Sequence, residues 1–312
     1  FAIKGKKLNG EKFINEAINR GAKIVICSKN CNFVNKNILI IKTNDVKLLL
    51  SDISSKFYNL KPKNIIAVTG TNGKTSVADL FYQILSANNI PVASIGTLGI
   101  KYKKKKLQSH LTSPDAITLH QALQHIKINK IDNVIIEASS HGLHQKRIEN
   151  LNFKAGIFTN FSQDHLDYHK TMHSYLNAKL HLFKNLLNEK KVIISDKSLK
   201  EFKILKNIAQ KKNLRLIDIT QIKKKIKLIS GIKLSKFQLN NLSMAIAAAR
   251  LCNVKEKKIF YNLNKLSAVD GRLEHVKTFF YNIKIFVDFA HTPDALQNVL
   301  SALKSSYGEN IT

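Results

Sequence analysis

The sequence predicts an α/β protein built around a central, mostly parallel sheet, and three observations lead to that expectation. Short apolar runs of strand length recur at 65–68, 92–95, 134–136, 155–158 and 192–194. Helical patterns separate several of them, notably at 74–88, 116–128 and 175–187. Continuous apolar strands are buried on both faces, which is the pattern of a parallel sheet covered by helices. Third, the run at 65–68 leads straight into a glycine-containing loop that opens a helix.

The elements before this sheet are shorter. Residues 1–3 are apolar and read as the middle of a strand, and a polar loop bounded by Gly5 and Gly10 follows. Phe13, Ile14, Ala17 and Ile18 share one helical face. Residues 24–27 and 38–41 read as strands and 45–58 as a second helix. Lys61-Pro62-Lys63 marks a linker. At the far end, 283–287 and 294–303 begin another strand–helix unit, and no internal repeat is visible. The expected division is a partial N-terminal α/β domain at 1–61, a central domain at 62–282 and the beginning of a third domain at 283–312. A chain that opens inside a strand pattern and stops after one helix is expected to lack its own start and most of that third domain.

With 312 residues, 44% of them hydrophobic, the chain can bury a sizeable core. No apolar run approaches the roughly 20 residues of a membrane-spanning helix. The first residues are not a basic region followed by an apolar stretch, so no signal peptide is expected. The three cysteines, Cys27, Cys31 and Cys252, are an odd number without pairing signatures. They read as free thiols in a reducing compartment, hence a cytoplasmic protein. Cys27 and Cys31 have no second pair with which to hold a metal. The net charge is +30, which in a binding protein suggests nucleic acid. Here the lysines are spread along the chain, and the accompanying wealth of Asn and Ile, scarcity of Arg and lack of Trp read as the bias of an AT-rich genome. The densest run, Lys103 to Lys106, lies between two short alternating segments and reads as a solvated hairpin tip. Neither nucleic acid nor membrane is an expected partner, and the protein is expected to be a monomer. The charge retains one use, attraction of anionic substrates.

The chemistry starts at Thr69-Gly70-Thr71-Asn72-Gly73-Lys74-Thr75-Ser76. Between a strand and a helix, such a loop turns backbone N–H groups inward, and the helix N-terminus adds positive potential. Lys74 is placed to reach the β- and γ-phosphates of a nucleotide, and the Thr75 hydroxyl to bind Mg²⁺. The strict Walker spacing fails, because Val68 stands where its first glycine belongs. The shorter Gly-x-x-Gly-Lys-Thr is physically sufficient. Glu137 and His165 fall at the C-terminal ends of predicted parallel strands, the edge at which open α/β sheets collect ligands. A carboxylate and an imidazole there could hold Mg²⁺ beside the loop. His141, His144, His169, His173 and His181 are expected to be solvent-facing or structural.

The loop resembles the ATP loop of the Mur ligases and of their relatives, the folylpolyglutamate and cyanophycin synthetases. Three further segments choose among these: Leu111-Thr112-Ser113-Pro114-Asp115, Glu137-Ala138-Ser139-Ser140-His141-Gly142-Leu143 with Gln145 and Arg147 beyond, and 159–169, which ends in His165-Leu166-Asp167-Tyr168-His169. Together they are similar to the Mur ligases that act on UDP-N-acetylmuramoyl-L-alanyl-D-glutamate, in that family's order and through nearly the whole chain. The resemblance implies a P-loop ATPase-like central domain flanked by a small N-terminal domain and a Rossmann-like C-terminal one. It implies ATP bound by Gly70, Thr71, Asn72, Gly73, Lys74, Thr75, Ser76, Asn241, Arg272 and Asp288. UDP-muropeptide would be held by Thr112, Ser113, Ser139, Gln145 and Arg147, with Lys6 and Lys7 at the diphosphate. Mg²⁺ would be held by Thr75, Glu137, His165 and Lys179, the last as a carbamate. Lys74, Glu137, His165 and Lys179 would be the catalytic set. Asp288-Phe289-Ala290-His291 departs from the family's Asp-Tyr-Ala-His, so a contact through the tyrosine hydroxyl is lost, and Gln238 stands where the family often has Asn.

The implied reaction is addition of a diamino acid, meso-diaminopimelate or L-lysine, to UDP-N-acetylmuramoyl-L-alanyl-D-glutamate through an acyl phosphate, in peptidoglycan biosynthesis. Because the family selects the amino acid in its C-terminal domain, the chain alone is expected to be inactive as a ligase. The rivals are another amide ligase on the same scaffold, such as folylpolyglutamate synthetase, and a nucleic-acid-associated P-loop ATPase.

Overall fold

The computed structural model describes residues 1–5, 8–103, 105–108, 111–229, 234–280 and 283–308. Lys6 and Lys7 therefore lie outside the described residues. The first unit comprises helix α1 (Ile14–Asn19), strand β1 (Ile24–Ser28), strand β2 (Leu39–Thr43) and helix α2 (Val46–Phe57). β1 and β2 pair in parallel, and Val25, Cys27, Cys31 and Ile14 form a small core beneath them. Asp45 caps α2 by accepting the backbone N–H of Leu48 at 3.0 Å, so the helix starts where its cap permits. The expected strand at 1–3 does not form. Ala2 donates one hydrogen bond to the Ile26 carbonyl at 2.8 Å, but the Ile3 carbonyl is taken by Gly10 N–H, and no ladder with β1 can extend.

The large sheet contains β3 (Asn64–Thr69), β4 (Val92–Gly96), β5 (Gly99–Tyr102), β6 (Lys105–Leu107), β7 (Asn133–Glu137), β8 (Phe153–Phe158), β9 (Val192–Ser195) and β10 (Arg215–Asp218). Its spatial order is β10-β9-β8-β3-β7-β4-β5-β6. β5 and β6 are antiparallel, and the other pairings are parallel. Successive residues of β3 feed opposite faces. Ile66 and Val68 enter one core with α3 (Lys74–Ala87) and, later in the chain, residues of the helix at 236–250. Ile65 and Ala67 enter the other core with α4 (Ala116–Ile128). The period-2 alternation and the burial of both faces explain why these strands read as unbroken apolar runs.

The connections supply α5 (Ser140–His144), α6 (Leu166–His169), α7 (Met172–His181), α8 (Phe202–Lys211), α9 (Thr220–Leu228), α10 (Lys236–Arg250) and α11 (Glu256–Tyr261). The helix expected from 175 starts earlier, because Thr171 caps it by accepting Ser174 N–H at 3.1 Å. Its last turn, Leu182–Leu186, widens to a π-helix. Ser235 and Gln238 close a capping box at the start of α10, which gives Gln238 a local structural task. Strands β11 (Glu274–Thr278) and β12 (Lys284–Val287) form an antiparallel pair that joins residues on either side of position 282, and α12 (Pro293–Tyr307) follows. No helix among the described residues is long and apolar enough to cross a membrane. All three cysteines are free and buried.

One buried polar group lies where α4 meets α2. His120 is 0% exposed, and among the described residues neither ring nitrogen makes a hydrogen bond of good geometry, the Glu149 backbone being the polar group beside it. Burial, aided by the charge of Lys61 and weakly opposed by the Glu149 backbone, lowers its pKa to about 4. An unfolded chain protonates this ring near pH 6.5, whereas the folded one resists down to about 4. Between those values the unfolded state binds more protons, so stability rises with pH across the window and is lost as pH falls through it. The full contribution is of the order of 3 kcal/mol. His120→Phe is expected to flatten the pH dependence of the unfolding free energy between pH 4 and 6.5, measured by denaturant titration, at no cost at pH 7. An unchanged slope would refute this account of His120.

Candidate active site

The C-terminal ends of β3, β4, β7 and β8 open into one cleft, where the strand order reverses around β3 and loops diverge. The phosphate-type loop runs from Gly70 to the start of α3. Gly70 has φ +143°, and a Cβ there would stand 1.9 Å from the Thr159 hydroxyl. Gly73 has φ +85°, and a Cβ there would meet the Asn241 side chain at 2.5 Å. Two glycines are thus required by left-handed backbone and by close approach. The loop is held from the β8 side. Asn72 N–H donates to the Asn160 side chain at 2.8 Å, Thr159 Oγ1 donates to the Asn72 carbonyl at 2.6 Å, and Thr71 N–H donates to the Asn160 carbonyl at 3.0 Å. These bonds fix the frame of the loop from within the protein.

Three cations converge here. Lys74 Nζ donates to the Gly70 carbonyl at 3.0 Å and the Thr71 carbonyl at 2.7 Å. Lys179 on α7 is 1% exposed, donates to the same Gly70 carbonyl at 2.7 Å and sits 4.3 Å from the centre of the Tyr175 ring. Arg272 donates to the Thr75 hydroxyl at 3.2 Å and packs over the Phe289 ring at 4.8 Å. Phe289 thus keeps the aromatic face under Arg272.

Facing them is Glu137, at the end of β7 and 1% exposed. Its Oε2 accepts the Thr75 hydroxyl at 2.9 Å and the Thr97 hydroxyl at 3.2 Å, and its Oε1 accepts Thr97 N–H at 2.8 Å. Burial raises the Glu137 pKa and is opposed by Lys74 and by these donors. Burial lowers that of Lys74, opposed by Glu137 and Asp164. Gly96 makes this arrangement possible, since a Cβ there would lie 2.1 Å from Oε1. Gly96→Ala is expected to displace a side chain that has nowhere to go, costing about 1–3 kcal/mol of stability. It should weaken binding of an Mg²⁺–nucleotide about tenfold or more. Thermal unfolding and calorimetric titration would report both, and unperturbed affinity would show that the Glu137 position is immaterial.

The residues expected at the muropeptide form a network on the other wall. The Ser113 hydroxyl donates to the Glu137 carbonyl at 2.8 Å and lies 3.0 Å from that of Ser139. Ser139 also caps α5 through Gly142 N–H. Arg147 donates to the Ser113 carbonyl at 2.9 Å and to Gln145 Oε1 at 2.6 Å, and Gln145 reaches the Tyr168 hydroxyl at 3.0 Å. Ser113 is fully buried and acts as a brace, whereas Thr112 is only partly buried, with its hydroxyl 3.1 Å from that of Thr97.

His165 stands at the N-terminal end of α6 in a left-handed conformation, φ 51°. Its Nε2 is 3.4 Å from Asp164, whose carboxylate is also 3.8 Å from His291. Burial lowers the His165 pKa, with Asp164 opposing and Lys179 and Lys74 reinforcing the shift. Lys179 and Glu137 do not touch directly; Lys74 interacts electrostatically with both. His169, expected to be solvent-facing or structural, is buried beside Tyr175. Asp288 accepts Leu273 N–H at 2.6 Å and Ala290 N–H at 2.7 Å, which ties the segments at 271–274 and 288–291 together. Asn241 is buried on α10 against Gly73.

Sequence reasoning did not single out Thr97, Asp164 or Tyr175. Thr97 had a findable signal, since Gly96 and Gly99 bracket it at the end of a strand on the ligand edge of the sheet. Tyr175 lies one helical turn before Lys179, and its hydroxyl donates to that of Thr71 at 3.3 Å.

The geometry can be set beside known proteins. Residues 68–264 match the Mur ligase middle domain. The chain is 35% identical over 330 aligned residues to the UDP-N-acetylmuramoyl-L-alanyl-D-glutamate–2,6-diaminopimelate ligase of Rickettsia montanensis, covering 98% of this chain and 68% of the relative. A solved structure of a ligase of that name superposes with a TM-score of 0.77 at 27% identity, covering 97% of this chain and 66% of the other. An FPGS–AMPPCP complex has a TM-score of 0.66 at 15% identity, over 85% of this chain and 78% of that one, a likeness of fold. The chain spans about two thirds of the length of the curated relatives it matches. Since the match runs unbroken from the Gly70 loop through the Glu137 strand to α10, the chain belongs to the Mur ligase family.

Proposed function

We propose that this protein takes part in adding the third amino acid to UDP-N-acetylmuramoyl-L-alanyl-D-glutamate, consuming ATP, in the synthesis of peptidoglycan. The incoming residue is a diamino acid, meso-diaminopimelate or L-lysine, and the names of the relatives favour the former. The observation that carries the reading is the placement of Glu137. It is a buried carboxylate ringed by hydroxyl and amide donors, between the phosphate loop and the Thr112–Arg147 wall. We further propose an N-terminal unit at 1–61 that meets the uridine end, a central unit at 62–282 that binds ATP, and a third unit at 283–312. We also propose that the protein works as a monomer in the cytoplasm.

The residues present fit Mg²⁺. This cation keeps several waters and takes one or two carboxylates plus substrate phosphates instead of a full protein cage. Among the described residues no cluster of three or more His, Cys, Asp or Glu could hold a metal, but Glu137 with the Thr75 hydroxyl meets the smaller need. When bound, the cation would offset the repulsion between two anionic reactants. Lys74 and Arg272 contribute fixed positive charge to the same end, and the Gly70–Gly73 loop orients phosphates through its N–H groups. Gln145 and Arg147 suit carboxylate or phosphate on the acceptor. The acceptor carboxylate oxygen attacks the γ-phosphorus and ADP leaves. An amine then attacks the acyl carbon, loses a proton, and phosphate departs.

His165 and Lys179 are the proposed holders of a second cation, Lys179 after carbamylation. A buried amine held below its ordinary pKa has the lone pair that reaction with CO₂ requires.

Acyl-phosphate formation precedes the amine, so ATP hydrolysis should be stimulated by UDP-N-acetylmuramoyl-L-alanyl-D-glutamate alone. Stimulation by a folate, or by DNA or RNA, with none by the muropeptide, would replace this reading with one of its rivals.

A further inference from the structure

Thr97 stands where the nucleotide and acceptor walls meet. It follows β4 in the turn Gly96-Thr97-Leu98-Gly99 and, unlike Gly96, is exposed to the cleft. Its backbone N–H and its hydroxyl each donate to Glu137, at 2.8 and 3.2 Å. The same hydroxyl lies 3.1 Å from that of Thr112. A hydroxyl has one proton to give. With the Thr97 proton committed to the carboxylate, its oxygen can only accept from Thr112. The direction of the chain is thereby set: Thr112 donates to Thr97, and Thr97 donates to Glu137.

Hydrogen bonds in such a chain polarise one another, so the last bond is stronger while the first is made. An anionic oxygen of an acceptor that takes the Thr112 proton breaks the first link. The Thr97 hydroxyl then becomes a poorer donor, and Oε2 of Glu137 is held less firmly by its protein partners. An oxygen so released is a better ligand for a divalent cation. We propose that Thr97 is a positioning residue that couples occupancy of the acceptor site to the readiness of Glu137 for Mg²⁺. The inference rests on the ligase reading of the cleft and adds to it an order of events, in which the cation is gripped firmly only when the acceptor is present.

The test is calorimetric titration of a non-hydrolysable ATP analogue with Mg²⁺, with and without UDP-N-acetylmuramoyl-L-alanyl-D-glutamate, in the parent protein, Thr97→Ser and Thr97→Val. The parent and Thr97→Ser are expected to bind the Mg²⁺–nucleotide about fivefold or more tighter when the acceptor is present. Thr97→Val, which keeps the backbone N–H and loses the hydroxyl, should show a ratio of about twofold or less. Thr97→Ala serves if valine crowds the turn, with the same loss expected. Wild-type coupling in both hydroxyl-free variants would overturn the proposal, as would a parent protein that binds both ligands independently. A parent protein that binds nucleotide and ignores the muropeptide altogether would instead overturn the ligase reading.

Discussion

Lys74→Ala is expected to bind a non-hydrolysable ATP analogue about a hundredfold or more weakly than the parent protein. The structure gives the reason in two parts. The Lys74 ammonium is already folded back onto the loop it serves, on the carbonyls of Gly70 and Thr71, so little further ordering is needed when phosphates arrive. It is also a cation that opposes the burial of Glu137. Its removal leaves that carboxylate inside the protein with less compensation, and two defects follow from one substitution. Lys74→Arg should not restore binding, since a planar guanidinium cannot occupy the point that a compact ammonium fills. Equilibrium titration is the measurement, and near-normal affinity in Lys74→Ala would remove the phosphate-loop assignment.

Lys179→Ala should be nearly as damaging, with muropeptide-stimulated ATP hydrolysis reduced about a hundredfold or more. Two ammonium groups on one Gly70 carbonyl repel each other. Burial first and the Lys74 charge second push the Lys179 amine well below its ordinary range, with only Asp164 in opposition. In the proposed carbamylation, attack of the neutral amine on CO₂ would form an N–C bond, release a proton and give an anion. Part of any loss in Lys179→Ala is a packing defect, because the side chain is among the largest fully buried ones. Lys179→Met retains the bulk and isolates the chemical loss. Added formate or acetate should partly rescue Lys179→Ala and leave Lys179→Met unimproved. Full activity of Lys179→Ala without additive would show the lysine to be dispensable.

The parts of this structure that were legible in the sequence are those fixed by local periodicity and backbone geometry. The strands at 65–68, 134–136 and 155–158 were visible because both their faces are buried, and the loop at 70–73 because two glycines stand between a strand and a helix. The strand expected at 1–3 failed on a contact that no periodicity encodes, the closure of Gly10 onto Ile3. The pairing of β11 with β12 was hidden because its residues are mostly exposed. At the site, Thr97 and Tyr175 escaped notice because their roles arise from partners 40 and 104 positions away. The burial of Lys179 was equally hidden, since in a chain this rich in lysine nothing local separates an interior one from the rest.

The hairpin at the end of the sheet has a consequence for how the protein behaves in company. β6 is the outermost strand on its side, and Lys105, Lys106 and Leu107 are all exposed. An edge strand of this kind can template pairing with another chain. A second copy approaching in that way would bring lysine against lysine at strand spacing, where like charges facing each other are destabilising. Lys106 is drawn to Asp270 at 3.4 Å, which leaves Lys105 as the charge on this strand that discourages edge-to-edge pairing, independently of catalysis.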